Sequence, residues 1–175
     1  MENKEKETKK HTFKDSIKEL IPYAVIIIVV VLIRTFIVTP IKVNGTSMMT
    51  TLSHGDTMIL NKIGMKLSDL KRFQIVIIDT HDSYLIKRII GLPGETIEYK
   101  EGKLYINDEV IDDPYYKNNT LDFDKVDIPK DHYFVMGDNR SDSIDSRIIG
   151  NINKKDILGT TKLIIFPISN IGIVK

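Results

Sequence analysis

One stretch of the chain is apolar on every face. Residues 21–38 read Ile-Pro-Tyr-Ala-Val-Ile-Ile-Ile-Val-Val-Val-Leu-Ile-Arg-Thr-Phe-Ile-Val, and crossing a bilayer core of about 30 Å takes ~20 apolar helical residues, with ~17 a working minimum. The run predicts a single-pass transmembrane anchor over 21–38. A helix buried in a soluble domain would carry a polar stripe, and a cleaved leader would end in small residues, which a chain whose one alanine is Ala24 does not supply. Pro22 fits the first helical turn, where no N–H is needed. Arg34, about a turn from the far end, is placed to snorkel to the headgroups. Residues 1–20 mix Lys and Glu without an apolar stripe and predict a disordered or loosely helical arm. Lys4, Lys6, Lys9, Lys10, Lys14 and Lys18 precede the run, against Arg34 and Lys42 behind it. That bias puts the amino terminus in the cytoplasm and residues 39–175 outside.

Beyond Pro40 the pattern changes to short runs rich in Ile, Val, Tyr and Leu, at 56–62, 74–79, 84–90, 96–100, 103–106 and 133–136, with a closing strand at 157–166. Turn residues part them: Gly55-Asp56, His81-Asp82-Ser83, Pro93-Gly94, Glu101-Gly102 and Asn107-Asp108. Such spacing leaves no room for crossover helices, so the expected domain is mostly β with antiparallel pairing. Residues 63–70 fit a helical turn or two, and 112–130, broken by Pro114, Asn118-Asn119 and Pro129, an irregular excursion.

Composition narrows the chemistry. The length of 175 residues suits one domain with an appendage, and 25 basic against 24 acidic residues give no global pull toward nucleic acid. The chain has no cysteine, which excludes a disulfide framework, a thiolate metal site and a cysteine nucleophile.

Ser47 lies in Val43-Asn44-Gly45-Thr46-Ser47-Met48-Met49, just behind the apolar run. A serine needs a base to become a nucleophile. Of the four histidines, His11 precedes the apolar run, and His54, His81 and His132 adjoin turn residues, where a solvated histidine is the ordinary reading. Lysine serves as base if burial brings its pKa down from ~10.4. Lys87 sits among Leu85, Ile86, Ile89 and Ile90; in a strand it shares a face with Leu85 and Ile89 while Arg88 points the other way. That window alone favours two surface charges on a half-buried strand.

Taken together, Gly-x-Ser-Met-x-x-Thr-Leu, Gly-Asp, Lys-Arg-x-Ile-Gly-Leu-Pro-Gly-Glu and Gly-Asp-Asn-Arg-x-x-Ser-x-Asp-Ser-Arg, in that order behind an apolar anchor, resemble the type I signal peptidases, the bacterial leader peptidases with a Ser-Lys dyad. The matching blocks run from about 34 to 150. The resemblance implies a coiled antiparallel β-sheet, barrel-like catalytic domain on one amino-terminal transmembrane helix. It implies a membrane-bound serine endopeptidase that cuts signal peptides from exported preproteins after an Ala-x-Ala-type site as they leave the translocon, with Ser47 as nucleophile and Lys87 as general base. Ser143 would orient the lysine; Asp145 and Arg147 would form a supporting ion pair, with Asp138 and Arg140 in similar roles, and Gly137 and Asn139 would shape the turn. Ile41, Val43, Gly45, Met48, Leu52 and Ile86 would line the pockets for small residues one and three places before the cut.

Two positions depart from the family's pattern. Thr50 stands where proline is usual, and Gly45 where some members carry a serine that helps hold the oxyanion; the Ser47 backbone N–H then remains as the main donor. No metal or organic cofactor is implied; the partners are preproteins and the lipid bilayer, the protein acting as a monomer. Other matches carry less: Ser68-Asp69-Leu70-Lys71 lacks the companion motif of penicillin-recognising enzymes, Gly91-Leu92-Pro93-Gly94 lacks the glycines of a phosphate loop, and Asp122, Asp124 and Asp127 lack calcium-loop spacing. A self-cleaving repressor of the SOS type shares the Ser-Lys chemistry, but the chain lacks a helix-turn-helix and an Ala-Gly site. A non-catalytic surface module is the remaining alternative.

Overall fold

The computed structural model describes residues 13–36, 38–62, 68–115 and 120–174, and the chain divides into two units at Ile37 and Val38. The first unit holds one helix, α1 (Phe13–Phe36). It begins eight residues before the expected anchor and stops short of Val38, so the arm is helical from Phe13 and Pro22 lies inside the helix rather than in its first turn. Its described apolar side chains, from Leu20 to Val31, are exposed. Among the described residues no helix is long and apolar enough to cross a membrane; the side chain of Arg34 and residues 1–12 lie outside the described set.

The second unit is mostly β and antiparallel. Its larger sheet contains β1 (Val38–Lys42), β2 (Thr57–Asn61), β3 (Ile75–Asp79), β4 (Tyr84–Gly91), β9 (His132–Met136), β10 (Ile152–Asn153), β11 (Ile157–Phe166) and β12 (Gly172–Ile173). The order is β1-β2-β11-β3-β4-β9-β10, with β12 paired to β11. The smaller sheet runs β7 (Glu109–Ile111), β6 (Lys103–Ile106), β5 (Thr96–Lys100), β8 (Phe123–Asp127). Two open sheets therefore replace the expected barrel-like closure, since β1 and β10 end the larger sheet without pairing to each other. Five strands absent from the sequence reading appear: β1, β7, β8, β10 and β12. Residues 63–67 of the expected helical turns are outside the described set, and Ser68 is a bend.

Alternation along the strands assigns the core. Ile75 and Ile77 face one side of the larger sheet with Met58, Leu60 and Ile86, while Val76 and Ile78 face the other with Ile89, Val135 and Ile157. A third cluster joins Ile97, Tyr99, Leu104 and Ile106 of the smaller sheet to Ile90, Phe134 and Met136 of β4 and β9. Strand β4 is thus covered on both faces from Ile86 to Gly91, and its charged pair Lys87 and Arg88 is carried into the interior. The surface-charge reading of those two residues fails for that reason.

Candidate active site

The loop from Val43 to Asp56 is closed at its base by backbone bonds. The Val43 N–H donates to the Asp56 carbonyl at 2.7 Å and the Gly55 N–H to the Val43 carbonyl at 2.9 Å. The buried Asp56 carboxylate accepts from the Ser53 N–H at 2.8 Å and from Asn170 Nδ2 at 2.9 Å. Inside the loop, Met49 N–H to Thr46 carbonyl at 2.9 Å and Leu52 N–H to Met48 carbonyl at 2.8 Å make tight turns. Met48 and Leu52 are buried and peg the loop to the core. Thr50 has φ +84°, a left-handed conformation closed to a proline ring with φ near −65°.

Those turns carry Ser47 to the start of the covered part of β4. Ser47 Oγ and Lys87 Nζ are 2.7 Å apart. Lys87 is 2 % exposed, and burial holds its pKa below the usual lysine value. The nearby Arg147 pushes the same way, whereas Asp145 foremost, then Asp138 and Asp142, oppose it. Desolvation outweighs the three carboxylates, so the amine gives up its proton more readily than a free lysine.

The run after β9 braces this pair. The Asn139 N–H donates to the Ser47 carbonyl at 2.9 Å and Asn139 Nδ2 to the Thr46 carbonyl at 3.2 Å, while the Thr46 hydroxyl donates to Asp142. A Cβ on Gly137 would collide with the Ser47 carbonyl oxygen and the Ser143 hydroxyl, so the close approach requires glycine. Asp145 begins α2 (Ser146–Ile149) as its cap and takes Arg147 in a two-pronged pair of 2.9 and 2.8 Å, together with the Gly137 N–H at 3.0 Å. Burial drives the Asp145 pKa up, but the Arg147 and Gly137 bonds overcome it and hold the carboxyl below its usual range. The Ser143 hydroxyl is buried without a partner at ordinary hydrogen-bond length, approaching Asp145 only loosely; it does not bond to Lys87.

Asp138 and Arg140 belong to separate buried pairs. Arg88 Nε and Nη2 donate to Asp138 at 2.8 and 2.6 Å, and Arg140 Nη2 donates to Asp113 at 2.7 Å. Tyr99, whose hydroxyl donates to Asp113 and accepts from Arg140 Nη1 at 2.9 Å, completes the second cluster; burial pushes its pKa up. Asp113 and Tyr99 were not singled out from the sequence, and Arg88 only as the charge facing away from Lys87, although an arginine beside a candidate catalytic lysine in an apolar run is the kind of charge that needs a buried partner.

A cleft beside the pair is lined by Val43, Asn44, Gly45, Ser47, Met48, Tyr84, Leu85, Ile86 and Lys87. Of the expected pocket residues, Ile41 and Leu52 do not line it; they lie buried in the cluster that supports it. Asn44, Tyr84 and Leu85 are added. His54 Nδ1 accepts from the Gly45 N–H at 3.1 Å, and no histidine among the described residues bonds to Ser47. Asp122 caps the turn at Glu101 and Gly102, accepting their N–H groups at 2.8 and 3.2 Å.

Comparison with known proteins gives a consistent likeness. The family model described as signal peptidase, peptidase S26, matches residues 17–166. A signal peptidase I from Bacillus amyloliquefaciens is 41 % identical over 180 residues, 96 % of each chain, and signal peptidase I P from Bacillus subtilis subsp. natto is 40 % identical over 185 residues, 98 % of each. A crystal structure of a signal peptidase I from Enterococcus faecalis superposes with a TM-score of 0.49 at 32 % identity, over 53 % of this chain and 97 % of that one.

Proposed function

The chain belongs to the signal peptidase family, peptidase S26, and from that premise we propose that it is a membrane-bound serine endopeptidase cutting signal peptides from exported preproteins after an Ala-x-Ala-type site. The observation that carries this reading is a buried lysine amine 2.7 Å from a serine hydroxyl. A neutral Lys87 takes the Ser47 proton as Oγ attacks the scissile carbonyl, and returns it to the departing amine; water then releases the acyl group by the same route. The Ser47 N–H, which bonds to no acceptor among the described residues, is the first donor for the oxyanion, and one such donor is worth roughly 3–4 kcal/mol.

The apolar walls of Val43, Met48 and Ile86 suit small side chains, and an extended peptide laid along them adds a strand to the site. The apolar run 21–38, within which the described side chains to Val31 are exposed, supports an anchor whose amino terminus is cytoplasmic, with residues 39–175 facing outward beside the translocon. The enzyme works as a monomer without a cofactor.

Ser47→Ala and Lys87→Ala proteins, purified in detergent, test the reading against a precursor ending in Ala-x-Ala. Each is expected to abolish cleavage, and retained cleavage by either overturns the assignment. Carbonate-resistant membrane fractionation tests the anchor separately.

A further inference from the structure

The cleft has two walls that converge on Ser47 and Lys87. One is the stretch 42–47, the other the first half of β4, and they are joined twice. Ser47 and Lys87 meet at one end at 2.7 Å; at the other the Tyr84 hydroxyl donates to the Lys42 carbonyl at 3.2 Å. Tyr84 lies three positions before Lys87, and at ~3.3 Å per strand residue the interval is about 10 Å, the length of three residues of an extended peptide. Tyr84 is half-buried, packs on the cluster containing Ile41, Val43 and Ile86, and also lines the cleft. Tyr84 thus belongs both to the supporting cluster and to the lining at the far end of the cleft.

We infer that Tyr84 is a specificity-determining residue: anchored to Lys42, it ends the enclosed part of the cleft three residues before the cut and reads the side chain of the fifth residue. The inference rests on the peptidase reading above. In an extended peptide alternate side chains share a face, so the first, third and fifth residues before the cut point to the same floor. The first and third meet the shallow walls of Val43, Met48 and Ile86. The fifth lies past the bridge and on the tyrosine ring, where an apolar side chain gains contact and a carboxylate loses hydration.

The test is a set of precursor peptides with alanine at the first and third positions and Leu, Gly or Asp at the fifth, assayed for kcat/KM with the wild-type chain, Tyr84→Ala and Tyr84→Phe. Wild type is expected to favour Leu over Asp by roughly threefold to tenfold, the scale of one aromatic contact. Tyr84→Ala should bring the ratio near one with the cut position unchanged, and Tyr84→Phe, which keeps the ring, should retain most of it. A wild-type ratio of one, or a ratio surviving in Tyr84→Ala, overturns the inference while leaving the peptidase reading intact. If the wild-type chain cuts none of the peptides, both fall together.

Discussion

Arg88 and Asp138 form a two-pronged ion pair, both side chains 1 % exposed, that ties β4 to the turn following β9. Arg88 also donates through Nη1 to the Phe73 carbonyl at 2.7 Å and lies 3.3 Å over the Tyr115 ring, so the guanidinium is bonded along its edge and covered on one face. Because Lys87 is the adjacent residue on the opposite face of β4, this pair sets the strand that presents the amine to Ser47.

Removing one partner leaves the other charged and buried. Asp138→Ala is expected to cost about 3–5 kcal/mol by urea unfolding, while the double change Arg88→Met with Asp138→Leu should recover most of it, since a well-packed apolar pair can replace a buried ionic one. Equal losses in the single and double variants would mean the pair matters through packing alone.

Gly137 is held against both halves of the site. Gly137→Ala should push back the Ser47 carbonyl or the Ser143 hydroxyl, costing roughly 1–3 kcal/mol by overpacking. A displacement near 1 Å at the nucleophile is enough to lower kcat about 100-fold. The check is kcat against thermal midpoint: activity should fall far more steeply than stability.

Much of the site was legible because its chemistry lies in short local motifs, whereas its wiring does not. Strands β3, β5, β6 and β11 follow their apolar-rich runs to within a residue, and turns with glycine or aspartate follow the first three. Strand β1 was hidden because Pro40 discourages a strand, yet β1 lies at the sheet edge, where a missing N–H is tolerated. Strand β8 was hidden because Asp124, Lys125 and Asp127 give it an exposed polar face. The pairs Arg88 with Asp138 and Arg140 with Asp113 join residues 50 and 27 apart in sequence. They depend on strand register, which no local pattern encodes.

Burial of Lys87 couples its titration to folding. Its folded pKa lies below the usual value, so between that pKa and the unfolded value of ~10.4 the unfolded chain holds more protons. Stability therefore rises with pH across that window. Lys87→Met should flatten this rise, measured by urea unfolding at a series of alkaline pH values. A slope unchanged by the substitution would show the amine to be hydrated in the folded chain.

Activity carries the same signature, and the neighbours give it a sign. Rate should climb with pH as Lys87 loses its proton, with an apparent pKa below ~10.4. Arg147 disfavours the charged amine and Asp145 favours it. Arg147→Met removes a positive neighbour and leaves Asp145 unpaired, so the rising limb should move to higher pH, while Asp145→Asn should move it lower. Both variants lose stability, since each orphans a buried or half-buried partner of the 2.8 Å pair, so a merely structural role predicts lower rates with no displacement of the limb. Opposite displacements in kcat/KM profiles of the two proteins would establish Lys87 as the titrating base, and displacement in the same direction would assign the limb to another group.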